Sequence, residues 1–245
     1  MILADDNFAT IVVAVREGRG IFANIRSFMR YLLSSNAGEV LTMFLGVIGA
    51  GLIGLQQGED VAVPLLATQI LWINLLTDTG PALAVGIDPP PDDVMERPPR
   101  RITDRVIDAE MQVGIVLVGL TMAAAALVGL DMYLPGGLIK GSSSLTEART
   151  VAFTTLVLAQ LWNCLNARSD HASFVDHLFT NQLLWAAIAL SLALQVAVIH
   201  VPLLNDAFDT TGLSLAQWGV CAALGATVLV TGEAYKAVLR ARARR

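Results

Sequence analysis

The sequence predicts an all-α polytopic membrane protein with six transmembrane helices, the first extended into a cytoplasmic stalk. Three observations carry this reading. Of 245 residues, 55% are hydrophobic and only 15% charged, against roughly 25% charged in a soluble domain. The apolar residues gather into runs long enough to cross about 30 Å of hydrocarbon. The basic residues fall almost wholly on one side of those runs, as orientation in a membrane requires. The net charge of −5 says little beside that placement, and nothing in the chain points to nucleic acid.

Taken in order, Asp5, Asp6 and Asn7 offer caps for a helix start. Apolar residues from Phe8 to Phe28 then alternate with Arg16, Glu17, Arg19 and Arg26, the pattern of an amphipathic helix in water. With no proline to stop it, this helix runs on through a first span at about 31–53. From Asn7 to Ile53 it would measure about 70 Å, so residues 1–30 form a stalk outside the bilayer, with Gly18 and Gly20 as its flexible points. An exposed apolar stalk face calls for something packed around it. The further spans are about 63–87, 109–130, 148–165, 182–200 and 215–238, and residues 239–245 form a basic cytoplasmic tail. If six spans alternate, 14 of 16 Lys and Arg lie on one face, only Lys140 and Arg149 on the other. Both termini are then cytoplasmic. Residues 1–6 show no basic n-region or cleavage site, so no signal peptide is expected. Cys164 and Cys221 sit in apolar runs as small buried hydrophobes. His171 and His177 read as solvated loop side chains.

Chemistry concentrates in Leu71–Pro81, LWINLLTDTGP. Asn74, Thr77 and Asp78 are spaced i, i+3, i+4 and share a helix face. Pro81 has no N–H, so the Thr77 carbonyl loses its helical partner and the helix is expected to loosen there. A broken membrane helix with a carboxylate and freed carbonyls suits a cation; the alternative is a polar patch that glues helices together. In the first span Asn36 and Glu39 are likewise i, i+3, with Gly38 beside them to admit a neighbouring helix. Here the alternative is a protonated glutamate bonded to a neighbour. Gln160 and Asn163 repeat the spacing in the fourth span.

Three blocks resemble a known family. MILADDNFATIVVAVREGR is similar to the end of the phosphorylation domain of P-type cation pumps as it enters the fifth membrane helix. RYLLSSNAGEV resembles the middle of that helix, and LWINLLTDTGPALAVGIDPPPDDVMERPPR the sixth helix and the loop after it. The likeness covers nearly the whole chain and is strongest to P2-type calcium pumps. It implies that the six spans are helices five to ten of a ten-helix pump. It also implies that Asn36, Glu39, Asn74, Thr77, Asp78 and Gln160 are cation ligands, with Asp78 central. Gln160 stands where two-site calcium pumps carry glutamate, which leaves stoichiometry open. The implied cargo is Ca2+, with Na+/K+ or Mn2+ as alternatives.

No DKTG or TGES motif and no nucleotide-binding domain is present in the sequence. ATP and Mg2+ would act only through other parts of a pump: actuator, nucleotide-binding and phosphorylation domains and helices one to four. Those parts and the lipid bilayer are the implied partners, and the plasma membrane the implied location. Alone, the chain should be inactive as an ATPase. The other reading is a stand-alone cation-binding or regulatory membrane protein derived from such a pump.

Overall fold

Among the described residues twelve short and long elements form, and the helices among them pack side by side into one bundle. The structure is a computed structural model that describes residues 8–57, 60–89, 92–96, 105–139, 141, 143–169, 173–175 and 178–243. The first helix, α1, spans Phe8–Ile48 and is about 60 Å long. It stops five residues before the expected end, because Gly49, Gly51 and Gly54 pull the chain into turns, Gly54 at φ +73°. A two-residue antiparallel pair follows, β1 (Gln56–Gln57) and β2 (Asp60–Val61).

The second expected span is not one helix. It comprises α2 (Ala67–Trp72), a π-helical turn (Ile73–Thr77) and α3 (Thr79–Gly86). A 3-10 turn at Asp92–Met95 leads to α4, Ala109–Tyr133. Next come α5 (Leu145–Asn166), α6 (Gln182–His200), α7 (Pro202–Phe208) and α8 (Leu215–Ala243). The fifth span falls where expected. The fourth gains a turn because Ser144 caps it, accepting from the Glu147 N–H. The loop at 201–212 contains α7, begun by Pro202 at its first turn. The basic tail is helical as far as Ala243 rather than a separate segment. The stalk glycines lie within the unbroken α1, and Gly20 is buried.

Four helices, α1, α4, α6 and α8, are individually long and apolar enough to cross a membrane. The other two expected spans miss that description for visible reasons. The α2–α3 segment is broken. The α5 helix is the centre of the bundle, buried at every residue from Ala148 to Leu161, and it can carry Arg149, four threonines and Gln160 because it meets protein on all sides. Its chief neighbours are α8 and α4, with α1, α6 and α3 touching it less, while α1 packs chiefly on α4.

Close approach of α1 and α4 depends on glycine, as Gly38 suggested. A Cβ on Gly38 would lie 2.8 Å from Met122 Sδ, and one on Gly119 would lie 2.9 Å from Ala37 Cβ. At its outer part α1 shows exposed Val12, Val13, Val15, Ile21 and Ile25. Nearer the bundle, Arg19 donates to the Val94 carbonyl, and Arg26 holds the Val106 carbonyl and the Asp108 carboxylate. Burial pushes the Asp108 carboxyl up, but the Met111 N–H and Arg26 outweigh that and hold it below the usual range. Cys164 and Cys221 are buried and unpaired by disulfide. His171, His177, Arg97, Arg100, Arg101 and Lys140 lie outside the described residues.

Candidate cation-binding site

The site is built where α2 gives way to α3. In the π-helical turn the Asp78 N–H bonds back five residues to the Ile73 carbonyl at 2.9 Å. The freed carbonyls find side chains. Thr79 Oγ1 donates to the Asn74 carbonyl at 3.1 Å, and Ser191 Oγ of α6 donates to the Thr77 carbonyl at 3.0 Å. Loosening of the helix at Pro81 is therefore present. The Thr77 carbonyl, however, is engaged by α6 and not left open. Thr77 also turns its hydroxyl inward, to the Ile73 carbonyl at 3.1 Å.

Two carboxylates meet around this turn. Glu39 of α1 is 4% exposed and Asp78 only 2%. Asn74 Nδ2 donates to Glu39 Oε2 at 2.6 Å, and Gln160 Nε2 of α5 donates to Glu39 Oε1 at 2.9 Å. Residues from three separate segments thus converge on one carboxylate. Asp78 Oδ1 accepts from the Tyr31 hydroxyl at 2.6 Å. Its other oxygen, Oδ2, is buried and accepts no hydrogen bond, and neither does Gln160 Oε1. Leaving a buried acceptor unbonded costs about 1–3 kcal/mol, a cost that an electropositive guest bound between these two would relieve.

Of the six expected ligands, the structure joins Glu39, Asn74 and Gln160 directly. It places Asp78 and Thr77 on the same turn as Asn74. Asn36 is exposed and shares no hydrogen bond with the others, because the helix turns it about 60° away from Glu39. Residues missed by sequence reasoning are Tyr31, which steadies Asp78, and Ser191, which takes the Thr77 carbonyl. Ser34 also joins in, accepting from Asn163 Nδ2 at 2.8 Å. A tyrosine at the head of an apolar run and a lone serine within one give no spacing signal.

Beside Glu39 an apolar groove of about 540 Å³ runs along α1, lined by Val40, Met43, Phe44, Val47, Ile48 and Ile70. Among the described residues no group of three or more His, Cys, Asp or Glu converges. Two carboxylates with amide and hydroxyl oxygens form an oxygen-donor set, which suits hard cations.

Comparison with known proteins bears on the family. A family model described as "Cation transporting ATPase, C-terminus" matches residues 62–238. A calcium-transporting ATPase of Bacillus subtilis is 37% identical over 235 residues, covering 95% of this chain. Calcium-transporting ATPase 1 of Bacillus cereus is 35% identical over 96% of this chain. The endoplasmic reticulum-type calcium-transporting ATPase 4 of Arabidopsis thaliana is 31% identical over 98% of it. The chain spans only about a quarter of the length of these relatives, 25%, 27% and 26% respectively. A bundle of membrane-type helices, a broken helix with a buried aspartate and this match over most of the chain lead to one conclusion: the chain belongs to the C-terminal family of cation-transporting ATPases.

Proposed function

We propose that this chain is the membrane-embedded, ion-carrying part of an ATP-driven calcium pump. In this reading its six segments cross the bilayer, both termini are cytoplasmic, and the membrane is the plasma membrane. Glu39, Asn74, Thr77, Asp78 and Gln160 ligate the cation. Asn36 does so only once another helix covers its exposed side. One observation carries the assignment: Asp78 Oδ2 and Gln160 Oε1 are buried acceptors without donors, in a cluster that also holds Glu39.

The chemistry follows from the amides. As they stand, Asn74 and Gln160 present N–H groups to Glu39 and so satisfy a carboxylate within apolar surroundings. Rotating either amide by half a turn replaces a donor with an acceptor. A dication between Glu39 and Asp78 would drive that rotation, since its charge takes over the role of the N–H groups. Calcium seeks six to eight oxygens. Two carboxylates, two amide oxygens and the Thr77 hydroxyl supply most of them. The apolar groove beside Glu39 fits a further membrane helix, which would bring the remainder. Phosphoryl transfer from ATP, with Mg2+, belongs to the other three quarters of such a pump.

The test uses a full-length pump carrying this segment. Asp78→Asn should abolish calcium-dependent phosphorylation, because it removes the most deeply buried charge. Glu39→Gln should weaken it. A pump that keeps an unchanged calcium requirement with Asp78→Asn would show Asp78 to be helix glue.

A further inference from the structure

A second buried polar cluster lies ten residues beyond Asp78, at the other end of α3. Asp88 follows the end of that helix, and its carboxylate is gripped by Arg168, the second residue after α5. Arg168 Nε donates to Asp88 Oδ2 at 2.7 Å, and its Nη2 donates to Oδ1 at 3.0 Å. The two side chains are 11% and 10% exposed. Asn181, the N-cap of α6, adds a third donor to Oδ1 at 2.9 Å. The backbones are tied as well. From α1, Asn24 donates to the Asp88 carbonyl at 2.7 Å and Ser27 to the Arg168 carbonyl at 3.0 Å. One ion pair thus joins the ends of α3, α5 and α6 to the base of the stalk.

The mechanical consequence comes from the break in the helix. The π-helical turn separates α3 from α2, so α3 is a rod of about 12 Å whose position a continuous helix does not dictate. Asp78 sits at one end of it and Asp88 at the other. A forked, two-bond Arg–carboxylate pair fixes orientation as well as distance, and removing one partner leaves a buried charge uncompensated.

We propose that the Asp88–Arg168 pair is a positioning clamp: it fixes α3, and with it Asp78, against α1, α5 and α6, and so sets the affinity of the site for its cation. The proposal rests on the transport reading above for its affinity arm, but not for its structural one. Neither residue touches the ligands, so the clamp should act on affinity and spare the maximal level of phosphorylation.

The experiment has two arms. In a full-length pump carrying this segment, Arg168→Gln and Asp88→Asn are each expected to raise the half-saturating calcium concentration by about tenfold, within the range typical of coupled sites. Maximal phosphorylation should be retained. The two changes together should be no worse than either alone, as expected for one shared interaction. Exchanging the pair, Asp88→Arg with Arg168→Asp, should recover much of the loss. Arg168→Lys keeps the charge without the fork and should give a smaller shift; it carries the test if the Gln variant fails to fold. In the second arm, amide hydrogen exchange is followed on the same variants. Exchange in α3 should quicken while that in α4 stays as it was. If calcium affinity is unchanged and α3 exchanges at the original rate, the pair does not position α3 and the proposal falls. If the unsubstituted pump shows no calcium dependence, it is the transport reading that fails, and α3 exchange still decides whether the clamp positions the helix.

Discussion

Gln160 does two opposed things with one amide: its nitrogen quiets Glu39, and its oxygen waits without a donor. Replacing it by glutamate would set two carboxylates about 3 Å apart, where both ionise only with a cation between them. Gln160→Glu is therefore expected to lower the half-saturating calcium concentration of a full-length pump by about tenfold, equivalent to about 1.4 kcal/mol. Titration of calcium-dependent phosphorylation checks this, and an unchanged or higher midpoint would remove Gln160 from the ligand set. Residue placement was legible in the sequence where spacing reported it. The i, i+3, i+4 row of Asn74, Thr77 and Asp78 announced itself, and so did the cost of a membrane glutamate at position 39. Tyr31 and Ser191 did not, because their roles arise from helices distant in sequence. Asn36 shows where that spacing stops being enough. Helical spacing put it near Glu39, but the 60° between them is enough to leave one residue exposed and the other buried.

At the scale of elements, proline and glycine carried the readable signals. Pro81 predicted the broken helix, and the structure supplies the form of the break, a π-helical turn whose spare carbonyls are met by Thr79 and Ser191. Gly38 predicted close helix packing, and its counterpart Gly119 appears only once α4 is in place. This crossing is where α1, which carries Glu39, is set against the bundle. Gly119→Leu should destabilise the protein by about 1–3 kcal/mol or more, because Ala37 and the α1 backbone leave no room for a side chain. The adjacent, exposed Leu120 is the control: Leu120→Ala should change stability by no more than about 0.5 kcal/mol. Unfolding in detergent compares the two. Equal effects would mean that the α1–α4 crossing has slack. Element ends were less legible, since a cap such as Ser144 outweighs hydropathy in deciding where a helix begins.

For the whole molecule, the connections collect at two opposite ends. At one, Arg149 donates to the Val63 carbonyl and pairs with Asp209, while Gln69 holds the Phe208 carbonyl and the Thr211 N–H meets Thr150. At the other, Arg26 pairs with Asp108, Arg168 with Asp88, and Tyr235 donates to the Glu110 carbonyl. Among the described residues four helices qualify as spans on their own hydropathy; crossing by all six segments is the proposal that these two ends put to the test. The first end also holds an exception to the charge asymmetry. Arg149 is 7% exposed and fastens loops together, which gives it a structural role at that end. The arginine asymmetry then predicts which end faces the cytoplasm. Single cysteines at Met95 and Ala241, both exposed, should react with a membrane-impermeant reagent only from the cytoplasmic side. Cysteines at Leu138 and Leu203, exposed at the opposite end, should react only from the other. The native Cys164 and Cys221 are buried and should stay silent. Leu203 is preferred to the nearby Asn205, whose amide nitrogen holds the Val198 and Ile199 carbonyls. Labelling of any one of the four from the wrong side would break the six-crossing arrangement. If all four report the reverse of what is expected, the six crossings stand and the orientation drawn from the arginines is inverted.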